Sequence, residues 1–168
     1  GLIQRYSTDL QLYLAAPTER GTNRCGKVYA LLNPGAEICP LYQTGDAETG
    51  AILILGDSHA DVLKEMIVVS GQATGRDVYL TTRNCDLGGY GSFPFCSASV
   101  LQSLISEIRA EGVTEVIAIS NWEVDLFDVA SMSTDIRALT DAGLVVRVMR
   151  RVPIDDSYDP RLRADNAL

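Results

Sequence analysis

Ala51-Ile-Leu-Ile-Leu-Gly-Asp-Ser-His-Ala60 is the stretch that decides how this chain folds. Its five leading apolar residues, 51–55, make a run of strand length that Gly56 bounds, and they predict a buried strand. Beyond it Val62, Met66 and Val69 recur at helical spacing, with Leu63 and Ile67 beside them. A helix is therefore predicted over 60–70, with Asp57 and Ser58 at its start. A serine on a sharp turn between a parallel strand and a helix is well placed to act as a nucleophile. The turn lifts its hydroxyl out of the sheet, and the free N–H groups of the helix can stabilise an oxyanion there. The same residues also fit an ordinary helix cap, because Ser and Asp are favoured at that position.

Working outward, strands predicted at 51–55, 77–81, 115–120 and 144–149 alternate with helices at 60–70, 97–111 and 131–142. The helix at 97–111 carries Val100, Leu101, Leu104, Ile105 and Ile108 on one face, with Gly112 as its stop; Gly143 ends the next one. Strands separated by helices imply right-handed crossovers and a parallel sheet covered on both faces. The expected fold is α/β, a flavodoxin-like three-layer α/β/α arrangement with a parallel sheet of four to five strands. Ligands in such sheets bind outside the carboxyl ends of the strands, which here release segments 56–59, 82–96 and 121–125. Residues 1–50 are turn-rich, with one short helix allowed over 9–16, and are expected to be an irregular lead-in packed on a domain spanning 51–168. The strand and helix pattern dissolves after Arg151.

The 168 residues suffice for one domain with a real core, and a net charge of −8 disfavours a nucleic-acid partner. No apolar run reaches membrane-spanning length. With His59 as the one histidine and no Cys-x-x-Cys spacing, neither a zinc site nor a cofactor is expected. The four cysteines permit three pairings, of which the sequence-local one, Cys25 with Cys39 and Cys85 with Cys96, is simplest. Four reduced thiols are the alternative on spacing alone.

Leu55-Gly-Asp-Ser-His-Ala60 resembles the first block of the SGNH (GDSL-like) hydrolases. The version with His after Ser is similar to the domain fused behind bacterial acyltransferase-family-3 membrane proteins, which O-acylate cell-surface polysaccharides. The resemblance implies Ser58 as nucleophile, with its own backbone N–H as an oxyanion donor. It implies Asn121, in Ile119-Ser-Asn-Trp122, as a side-chain oxyanion donor; a turn residue closing the strand is the other reading of Asn121. A further backbone donor is expected from Asn84, in Thr81-Thr-Arg-Asn-Cys85, or from Gly88. Tyr90, Phe93 and Phe95 in the same segment suit contact with a sugar or acyl chain, or simple packing.

The family completes its triad with Asp-x-x-His, a motif these residues lack. His59 does not replace it, since neighbouring residues at a helix start point about 100° apart. Neither Lys27 nor Lys64 has the placement of a serine-activating base, and Asp155, Asp156 and Asp159 have no histidine beside them. The domain is therefore expected to lack its C-terminal segment. The resemblance further implies an extracytoplasmic setting and, with it, the disulfides Cys25–Cys39 and Cys85–Cys96. The expected partners are a membrane acyltransferase domain of the same parent chain and a glycan acceptor. The expected activity is O-acylation through an acyl-serine, with an esterase or an inactive binding domain as alternatives.

Overall fold

The computed structural model describes residues 25, 27–45, 49–82, 87–88, 98–120 and 128–149. They lie within one compact unit, Asn23–Arg151. The elements run α1 (Lys27–Leu32), β1 (Ile38–Tyr42), β2 (Ala51–Gly56), α2 (Ser58–Thr74), β3 (Val78–Thr81), α3 (Ala98–Ala110), β4 (Val113–Ile119), α4 (Val129–Asp141) and β5 (Val145–Val148). The five strands form one sheet in the order β1-β3-β2-β4-β5. β2 lies between β3 and β4 and is parallel to both, and β5 is parallel to β4. The α/β class and the mostly parallel sheet agree with the sequence reading.

β2 shows why an unbroken apolar run was the decisive signal. All six of its residues are buried, and successive side chains enter opposite cores. Leu53 and Leu55 join Leu101, Leu104, Ile105 and Ile108 of α3 and Leu139 of α4. Ile52 and Ile54 join Ala60, Ile67 and Val68 of α2, with Cys25 and Tyr29 packed at the margin. The helices thus cover both faces and make the three layers.

α2 is longer than the 60–70 predicted. Asp57 caps its start by accepting from the backbone N–H of His59 at 2.8 Å. Gly75 ends it in the left-handed region, φ 65°, where a glycine meets no steric penalty.

Two features differ from the sequence reading. The lead-in is not wholly irregular: Lys27–Leu32 is helical, and Ile38–Tyr42 is a strand antiparallel to β3. β1 was hidden by its shortness and by Pro40, a residue tolerated on the edge strand that β1 proves to be. The second is on α2, whose spacing left open which face meets the sheet: Ile67 is buried, whereas Val62, Met66 and Val69 are 76%, 56% and 62% exposed. The side turned to the sheet carries Ala60, Lys64, Ile67 and Val68 instead. An apolar repeat at helical spacing names a face but not the direction it turns, and this helix has the sheet on one side only.

Candidate active site

The site is built where the chain order of the sheet reverses. From β2 the chain moves through α2 to β3 on one side, then through α3 to β4 on the other. The carboxyl ends of β2 and β4 therefore flank the switch point, where α/β sheets bind ligands. Gly56 and Ile119 are register partners there. Gly56 has a φ of 155° and leads directly into Asp57 and Ser58. Ser58 is the first residue of α2, and the geometry described for it is that of its backbone. Its position one residue inside a 17-residue helix aligns it with the positive end of the helix dipole.

Asp57 has a second role beyond the cap. Its Oδ1 also lies 3.0 Å from Nδ1 of His59. A carboxylate can only accept, so the imidazole donates from Nδ1 and keeps Nε2 as its acceptor nitrogen. The ring is folded back onto Asp57, with the side chain 41% exposed. The hydrogen bond to Asp57 ties His59 to the cap.

A cavity of about 360 Å³ opens at this end of the sheet, lined by Gly56, Asp57, Asp61, Leu80, Thr82 and Cys25 among others. Thr82 braces its wall, donating from Oγ1 to the Ala36 carbonyl at 2.7 Å and from its backbone N–H to that of Glu37 at 2.8 Å. Asp61, one turn beyond Ser58, is bonded to the Lys64 ammonium. The Lys64 side chain is only 4% exposed. Sequence reasoning weighed Lys64 only as a base for the serine and passed over Asp61. The available signal was a lysine in phase with Ala60, Ile67 and Val68, paired with an aspartate three residues earlier.

Cys25 and Cys39 form a disulfide with a Cα–Cα distance of 5.7 Å, joining the cavity rim to edge strand β1. Gly88 lies beside α4 rather than in the cavity lining. Its N–H donates to Asp135 Oδ2 at 2.8 Å, and its Cα faces Met132 and Asp128. That donor is already engaged. Asn84, Asn121, Trp122, the pair Cys85 and Cys96, the aromatics Tyr90, Phe93 and Phe95, and the aspartates at 155, 156 and 159 fall outside the described residues. So does the helix allowed over 9–16. Among the described residues no group of three or more His, Cys, Asp or Glu side chains could hold a metal ion. No helix among them is long and apolar enough to cross a membrane.

A family model described as the SGNH domain fused to AT3 domains matches residues 24–168. The chain belongs to this family. No curated protein and no solved structure matches it. The SGNH assignment agrees with the block at 55–60, and the AT3 fusion names the kind of membrane acyltransferase domain to which this family's members are joined.

Proposed function

We propose that this SGNH domain carries an acyl group on Ser58 and passes it to a hydroxyl of a cell-surface glycan. The observation that carries the proposal is the position of Ser58. It starts α2 immediately after the central strand, at the switch point and within one turn of the cavity-lining Asp61. In the first half-reaction the Ser58 oxygen attacks the acyl carbonyl and gives up its proton to a base. The donor's leaving group then departs with a proton. In the second, a glycan hydroxyl attacks the ester carbonyl, and the Ser58 oxygen leaves and regains its proton. Oxyanion stabilisation comes from the Ser58 backbone N–H, with Asn121 and the Asn84 N–H as further donors. Gly88 is left out of this set because Asp135 holds its N–H.

The glycan acceptor, an acetyl cargo and an extracytoplasmic location are parts of the same proposal. The Cys25–Cys39 disulfide supports the compartment, since such bonds persist where the surroundings are oxidising. The partner that supplies the acyl group is an AT3 membrane domain, in keeping with the family's fusion.

Labelling of the full-length protein with a serine-directed fluorophosphonate tests the proposal. A single adduct on Ser58, and loss of acyl transfer in Ser58→Ala, are expected. An unmodified Ser58 in folded protein would overturn it. An adduct accompanied by acyl release to water, with none to glycan, would make the domain an esterase.

A further inference from the structure

We infer that the outward face of α2 is the docking surface for the membrane acyltransferase domain that loads Ser58. The inference rests on the reading of Ser58 as acyl carrier. Val62, Met66 and Val69 are 76%, 56% and 62% exposed. Their spacing, four residues and then three, puts all three on one face of the helix. At 1.5 Å per residue the row is about 10 Å long. Ser58 stands one turn before Val62 in the same register, four residues ahead of it, so the row begins at the candidate nucleophile. No other element among the described residues exposes three large apolar side chains; α1 shows two, Leu31 and Leu32, and β5 shows two, Val145 and Val148.

The charges around the row select the occupant. Lys64, the only lysine of α2, is buried on the side of the helix away from the row and is paired with Asp61, so it offers the row no positive charge. The chain as a whole carries −8. An anionic lipid surface is repelled by that balance, as is a second copy of the same chain. A protein surface with apolar side chains fits, and this family is the one fused to such a domain. Docking along α2 would bring the acyl donor to the end of the helix where Ser58 sits, without covering the cavity at Asp61 and Thr82 from which an acceptor can approach.

The test places a photo-reactive amino acid at Met66 in the full-length protein in its native membrane. It is run with Ser58 intact and in Ser58→Ala, followed by mass mapping of the crosslinked peptides. Crosslinks to the AT3 domain are expected in both backgrounds. Crosslinks to residues 1–168 of the same chain, to a second copy or to lipid, or none at all, would overturn the inference. In parallel, Val62→Glu with Met66→Glu is expected to cut glycan acylation by about tenfold or more, because charge is then forced into an apolar contact. Fluorophosphonate labelling of Ser58 and the melting temperature are expected to hold. Undiminished acylation, or a lowered melting temperature showing that the row packs within the domain, would overturn it. Crosslinking that persists while Ser58→Ala still acylates glycan would sink the acyl-serine reading and leave the docking surface standing.

Discussion

Gly56 lies against Ile119 so closely that a β-carbon on Gly56 would stand 1.7 Å from the Ile119 carbonyl oxygen. The contact joins the two strands that flank the candidate site, and the obstacle is backbone, which cannot rotate aside. Gly56→Ala therefore has to part β2 from β4 or abandon the turn into α2. We expect a loss of more than about 3 kcal/mol in urea denaturation, the range of severe steric and backbone effects. Fluorophosphonate labelling of Ser58 should fall with it. A variant of unchanged stability would show that the strands can separate cheaply here.

The Cys25–Cys39 bond closes a segment with a sequence separation of 14. A loop of that size corresponds to about 3 kcal/mol of stabilisation through the unfolded chain. Replacing both cysteines by serine should shift the denaturation midpoint accordingly. A shift near zero would mean that β1 is held by its pairing with β3 alone.

Glu115 gives the domain an acid limit. Burial pushes its carboxyl up, but hydrogen bonds and charge from Arg76 and Arg147 outweigh burial and hold it below its ordinary 4.5. Arg76 Nη1 is 2.6 Å from Glu115 Oε2, with both side chains less than a fifth exposed. A depressed carboxyl contributes stability that is present above pH 4.5 and lost as pH falls through its folded value. Glu115→Gln should cost about 2 kcal/mol at neutral pH, nearly all from the Arg76 bond, because Arg147 is largely in water. Its stability should also fall less steeply than the parent's below pH 4.5. Parallel acid limbs in the two proteins would contradict this.

At the alkaline end the sensitive group is Tyr79. Burial raises it most, the Gln43 hydrogen bond opposes in part, and the hydrogen bond and charge of Glu111 with the charge of Asp77 add to burial, so that it stands at about 12 against 10.0. The neutral phenol donates to Glu111 Oε2 at 2.9 Å. Stability linked to it is whole below pH 10 and is lost as pH rises towards about 12, because the unfolded chain ionises first. Tyr79→Phe should abolish that limb while costing about 1 kcal/mol at neutral pH through the lost hydrogen bond. Ultraviolet tyrosinate titration of the two proteins measures the difference directly.

Asp57→Ala removes the helix cap and the partner of the His59 ring together. It should lower stability by about 1 kcal/mol in urea denaturation. If His59 only caps the helix start with Asp57, His59→Ala should leave esterase activity of the full-length protein within about threefold. Loss of several orders of magnitude on His59→Ala would instead make His59 the proton acceptor.

The layers and the switch point were legible because β2 is buried on both faces, and only apolar residues satisfy that. Helix α3 was legible for the complementary reason: Leu101, Leu104, Ile105 and Ile108 form one buried stripe. β1 was not, because its pairing of Cys39 with Leu80 spans 41 residues and leaves no local pattern. The outward row of α2 was legible as a helical repeat but not as an outward face, because periodicity carries no direction. The burial of Lys64 was legible only from its phase with Ala60, Ile67 and Val68 and from Asp61 three residues earlier, a pairing the sequence reading did not use. At the site, Ser58 was marked by its strand and helix, whereas Gly88 was chosen by proximity in sequence, which could not foresee that Asp135 would take its N–H.

The antiparallel docking of β1 on β3 fixes an order of assembly. During synthesis residues 38–42 leave the ribosome well before residues 78–81, their partners in the sheet among the described residues. β1 therefore has nowhere to settle until about forty more residues have followed it. The Cys25–Cys39 bond needs no such wait, since both of its ends are made early. Oxidation on emergence would close that segment into a preformed clip, and β3 would later slide against a strand whose freedom had already been removed.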